Sequence, residues 1–130
     1  MRDLFFWDKS CAVKKVTDKE KRMAAKIYYG EKKITVFLEG ELDHHSAAII
    51  RAGIDDALFI NRPKELILDF GGITFMDSSG IGLVMGRYKI MKSIGGKVIL
   101  ASLSGTNEKL MKLAGLERLD NIEFKETASL

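Results

Sequence analysis

Leu66-Ile67-Leu68-Asp69-Phe70 and, a few residues on, Phe75-Met76-Asp77-Ser78-Ser79-Gly80-Ile81-Gly82 decide the fold of this chain. The first run, within residues 64–70, sets aliphatic side chains in succession, as a strand buried on both faces requires. The second opens an amphipathic stretch reaching to about Ile94. There Ile81, Val84, Met85, Tyr88 and Met91 fall on one helical face, and Arg87, Lys89 and Lys92 on the other. A buried strand that hands over directly to a helix is half of a β-α-β unit. The handover also places two hydroxyls and a carboxylate at a helix N-terminus, where backbone N–H groups point outward and negative charge is welcome.

Upstream, residues 24–29 and 33–38 are β-prone, with Ile34, Val36 and Leu38 alternating, and Gly30-Glu31 between them signals a hairpin. Gly40-Glu41-Leu42-Asp43 ends the second strand. Asp43 or Ser46 can cap a helix whose apolar face is Ala47, Ile50, Ile54, Ala57 and Leu58, and Asn61-Arg62-Pro63 breaks it. Downstream, Gly95-Gly96 ends the second helix and residues 97–101 form the next strand. A short helix then starts at Ser104 or Thr106, with Leu110, Met111, Leu113 and Ala114 directed inward. Gly115-Leu116 closes it in a Schellman ending, and Ile122-Glu123-Phe124 is a last strand. The order β-β-α-β-α-β-α-β predicts an α/β fold: a mixed sheet with helices packed against it, in a single domain.

Residues 1–22 show no clean alternation and no helical face. They are expected to be an N-terminal extension, a short helix or an arm, ahead of a domain spanning residues 23–130. The chain of 130 residues is 46% hydrophobic and 30% charged, ordinary for one soluble domain. No apolar run approaches the roughly 20 residues of a membrane span, and Leu4-Phe5-Phe6-Trp7 is too short for a signal-peptide core. Cys11 is the lone cysteine, which excludes an internal disulfide and favours a cytoplasmic location. The net charge of +3 resides in residues 1–22, with seven basic side chains against four acidic. The remainder carries fourteen of each, without the basic stripe that nucleic-acid binding requires. Proteins or small ligands are the expected partners of such a neutral domain.

Ser78 and Ser79 are open to three readings. They suit simple N-caps, since Ser and Asp are favoured there. A nucleophile elbow needs glycine two positions before and two after the serine. Met76 and Gly80 flank Ser78, so half the pattern is missing, and only His44 and His45 could serve as base. The third reading is a modified hydroxyl, favoured by Asp77 alongside and by Gly80, Gly82 and Gly86. Those glycines cost helix propensity and are expected where another backbone approaches. His44-His45 with Asp43 and Glu41 lacks any CxxC, HExxH or third-ligand cluster, so capping and loop hydrogen bonds are expected there and no metal. Gly71-Gly72 and Gly95-Gly96 are expected as turn glycines, because no phosphate-binding loop motif surrounds them. With no nucleotide-binding motif or other cofactor signature, a phosphate on Ser78 has to come from another protein.

Gly40-Glu41-Leu42-Asp43-His44-His45, Phe75-Met76-Asp77-Ser78-Ser79-Gly80-Ile81-Gly82 and Gly86-Arg87-Tyr88-Lys89 closely resemble the bacterial anti-sigma factor antagonists, which are single STAS-domain proteins. The nearest resemblance is to the sporulation-type antagonist of endospore formers, over about residues 23–124. It implies a non-enzymatic, partner-switching module; balanced charge and the absence of a coiled-coil pattern make a monomer the expected free state. The unphosphorylated form would bind an anti-sigma factor that is also a serine kinase and so release the sigma factor. Phosphorylation at Ser78 would part the complex, and a serine phosphatase would reset it. Asp43, His44, Asp77, Ser78, Ser79, Gly80 and Gly82 are implied as the partner-binding residues. A phospho-signalling scaffold in another partner-switching pathway is the neighbouring alternative, and a serine hydrolase the distant one. The resemblance would put a longer C-terminal helix beyond the last strand, and Phe5, Phe6 and Trp7 are expected to cover the surface it would protect.

Overall fold

The computed structural model describes residues 12–128. In order, the elements are β1 (Ala12–Thr17), β2 (Met23–Gly30), β3 (Lys33–Leu42), α1 (His44–Asn61), β4 (Glu65–Met76), α2 (Ser79–Ser93), β5 (Lys97–Ala101), α3 (Gly105–Leu113), a 3-10 turn (Leu116–Arg118) and β6 (Ile122–Lys125). The six strands lie side by side in chain order. β1, β2 and β3 are antiparallel neighbours, and β3 to β6 run parallel. Three crossovers that all step the same way place α1, α2 and α3 on one face of the sheet, as the right-handed rule for parallel connections requires.

That face carries the main core. Ile27, Val36, Leu38, Leu66, Leu68, Phe70, Val98 and Leu100 meet Ile50, Ile54 and Leu58 of α1, Leu83, Val84 and Met91 of α2, and Met111 of α3. The alternate residues Ile67, Ile99 and Ala101 form a small second cluster on the opposite face, with Ala128 packed on it. β4 is thus buried on both faces, as its aliphatic run requires. The α1 face expected from helical spacing is buried in full.

Four expectations are corrected. Residues 12–17, expected within an appendage, form the edge strand β1, with Val16 seated against Gly53 of α1. The expected Phe5–Trp7 cover and Cys11 lie outside the described residues. Gly71-Gly72 is no turn: β4 runs through it to Met76. A Cβ on Gly72 would stand 2.8 Å from that of Glu39, so glycine lets the two strands close across a bulge. Arg87, placed by pattern on the outer face of α2, is buried and forms an ion pair with Asp55 of α1, Nε to Oδ1 at 2.9 Å. Leu113 and Ala114 face outward, Leu113 being 78% exposed, while Met111 is the buried residue of α3.

Candidate phosphorylation and partner-binding site

The site begins with a register. β3 and β4 pair in parallel with Leu42 opposite Met76, and the Asp77 N–H donates to the Leu42 carbonyl at 3.3 Å. Asp43 and Asp77, the next residue of each strand, therefore emerge side by side and each opens a helix. Asp43 Oδ1 accepts the Ser46 N–H at 2.9 Å, and Ser46 Oγ accepts the Asp43 N–H at 3.1 Å, which closes a capping box on α1. The Ser46 N–H is the chief cause holding the Asp43 carboxyl below its usual range, and Arg22 adds to it. Asp77 Oδ1 accepts the Ser79 N–H at 2.8 Å in the same manner.

Because Asp77 supplies the cap of α2, the Ser78 hydroxyl makes no cap hydrogen bond, and Ser78 is exposed. The simple-cap reading therefore belongs to Asp77 rather than to Ser78. Ser79 turns toward a cleft of about 290 Å³ between α1 and α2, shared with His44, Ala47, Ala48, Arg51, Gly82 and Leu83. Gly82 is exposed and has open space where a Cβ would stand. Gly80 is buried, and a Cβ there would collide with the Met76 sulfur. Gly82 is thus the glycine that keeps the surface low, whereas Gly80 answers to packing beneath it. Neither histidine hydrogen-bonds a serine among the described residues, and His45 instead faces Glu20 at 3.8 Å. The nucleophile–base contact that a hydrolase needs is therefore not formed. No cluster of three metal-ligating side chains occurs among the described residues.

All seven sequence-derived site residues thus gather at the carboxyl ends of β3 and β4, with Gly80 in the layer below. Sequence reasoning missed Arg22, whose Nη1 lies 3.4 Å from Asp43 Oδ2. It is the last residue of the expected N-terminal extension, two residues before the β-prone run that starts at Ala24. Arg51 was also missed, although His44, Ala47, Ala48 and Arg51 share one helical face.

Residues 23–128 match the STAS domain family, to which the chain belongs. Within that family it is similar to anti-sigma F factor antagonists. One, of Lysinibacillus sphaericus, is 41% identical over 83 residues, 64% of this chain and 71% of the relative. Another, of Paenibacillus polymyxa, is 32% identical over 97 residues, 75% of this chain and 83% of the relative. The fold matches SpoIIAA in its unphosphorylated form with a TM-score of 0.61, at 29% identity over 91% of this chain and 90% of that one. It matches the phosphorylated form with a TM-score of 0.59, at 32% identity over 87% and 90%. No helix among the described residues is long and apolar enough to cross a membrane.

Proposed function

We propose that this chain is an anti-sigma factor antagonist switched by phosphorylation at Ser78. In its unphosphorylated form it binds an anti-sigma factor that is also a serine kinase, and the sigma factor is released. The kinase transfers phosphate from its own ATP to the Ser78 Oγ, the complex parts, and a serine phosphatase restores the hydroxyl. The chain itself is a substrate and ligand in this cycle, without catalysis of its own, and acts in the cytoplasm as a monomer when free. The observation that carries the reading is the free, exposed Ser78 hydroxyl beside a cap already completed by Asp77. A hydroxyl engaged in capping would have to leave its bond before it could be modified.

The physics of release is electrostatic. Phosphate adds about −1.5 to −2 charge at neutral pH. The start of α2 tolerates that charge in the free protein, so the fold persists. Within an interface the same charge stands beside Asp77 and Asp43 and loses its water, which costs affinity. The test is incubation with the cognate anti-sigma factor and ATP, followed by mass spectrometry. Phosphate on Ser78, abolished in Ser78→Ala, is expected. Phosphate on Ser79 instead, or on neither serine, would contradict the assignment.

A further inference from the structure

The turn between β1 and β2 stands against the Asp43 loop, just ahead of the segment that matches the family. It is locked in place by backbone and side-chain bonds. Asp18 Oδ1 accepts the Met23 N–H at 3.0 Å, the Lys21 N–H reaches the Asp18 carbonyl at 3.1 Å, and Lys21 takes a positive φ of 58°. The Arg22 carbonyl accepts the Glu41 N–H at 2.8 Å. It also occupies the space where a Cβ on Gly40 would stand, and Gly40 itself has φ 99°. The backbone of Arg22 is therefore fixed against Gly40 and Glu41, two to three residues ahead of Asp43.

From that anchored backbone the guanidinium reaches three carboxylates: Asp18 Oδ2 at 3.8 Å from Nε, and Glu41 Oε1 at 3.6 Å and Asp43 Oδ2 at 3.4 Å from Nη1. Asp18 is buried, and its Oδ2 has no hydrogen-bond partner, so it holds the guanidinium from beneath by charge. Asp43 uses its two oxygens for different tasks, Oδ1 for the cap of α1 and Oδ2 for Arg22. A carboxylate held at one oxygen can still rotate about its side-chain bonds. Held at both, it presents a single orientation.

We propose that Arg22 is a positioning residue that fixes the Asp43 carboxylate in the orientation the anti-sigma factor binds, making the β1–β2 turn a side wall of the partner surface. The inference rests on the proposed function, in which Asp43 is a contact residue. Lost ordering of an interface group weakens association even when the fold is intact, and two residues acting through one contact give non-additive effects.

The experiment is a double-mutant cycle on the full chain. Affinity for the cognate anti-sigma factor would be measured by calorimetry for wild type, Arg22→Ala, Asp43→Asn and the double variant, with melting curves for each. Arg22→Ala is expected to weaken binding by about threefold to tenfold, and to add nothing once Asp43 is Asn. Arg22→Lys, which keeps a cation but not the fork, is expected to fall between wild type and Ala. Should Arg22→Ala fail to fold, the Lys variant carries the cycle in its place. Unchanged or tighter binding by the Arg22 variants, or effects that add, would overturn the inference while the weakening by Asp43→Asn keeps the proposed function standing. Wild-type binding that is absent, or indifferent to Asp43→Asn, would overturn the proposed function and the inference with it.

Discussion

Asp77, Ser78 and Gly82 divide the start of α2 into a cap, a modifiable hydroxyl and a low surface. Removing the cap with Asp77→Ala is expected to cost about 1 kcal/mol in denaturant unfolding. Ser78→Ala should cost far less, because its hydroxyl makes no cap bond. Ser78→Asp should weaken anti-sigma factor binding while leaving the melting temperature nearly unchanged; a large drop would make Ser78 structural after all. At Gly82, which is exposed with open space around its Cβ position, Ala should stabilise the free protein by about 0.5–1 kcal/mol through helix propensity. The same methyl should hinder the partner's approach, so stability and affinity move in opposite directions. Equal affinity for Gly82→Ala would mean that the partner does not approach there. Asp77, Ser78 and Ser79 were legible in the sequence because a strand-to-helix handover announces itself. The division of labour between Asp77 and Ser78 was not, since both residue types cap helices equally well.

Across α1 and α2 the decisive contact is Arg87–Asp55, which joins the helices behind the cleft. Burial lowers the Arg87 pKa and raises that of Asp55, and each charge opposes the shift of its partner. Asp55→Ala leaves the buried guanidinium uncompensated and should destabilise by about 3 kcal/mol, measured by chemical unfolding. Hydrophobic periodicity placed Arg87 in solvent because pattern reading assigns charge outward, and only the packing of α1 beside α2 supplies its carboxylate. The same limit explains Leu113, which helical spacing sent inward although α3 rests on the sheet through Met111. The extension of β4 through Gly71-Gly72 was hidden because glycine pairs usually end strands. Here Gly72 admits the Glu39 side of β3 at close range. Elements whose pattern and packing agree, such as α1 and β5, were read to within a residue or two.

For the whole molecule, the order of strands and helices was legible because each helix carries its own stop signal and each strand its own apolar run. The edge strand β1 was not, since Lys14 and Lys15 break its alternation, and a strand paired on one side needs little apolar pattern. Charge also sets a response to acid. Hydrogen bonds from Ser46, Tyr88 and Lys97 are the first causes that lower the pKa of Asp43, Asp120 and Glu123, respectively. Their folded values lie below the unfolded ones, so their stabilisation is present above the ordinary carboxylate range, near pH 4, and is lost as pH falls through the depressed values. Asp55, raised by burial, works in the opposite sense. The melting temperature should therefore decline as pH drops below about 4, and Asp120→Asn should flatten that decline. Phosphate on Ser78 is expected to dissolve the partner complex without changing the fold. The decisive experiment is calorimetric titration of the anti-sigma factor with unphosphorylated and Ser78-phosphorylated protein, both checked by circular dichroism. Matching spectra and an affinity at least about tenfold weaker for the phosphorylated form, roughly 1.4 kcal/mol, are expected; equal affinities would overturn the switch.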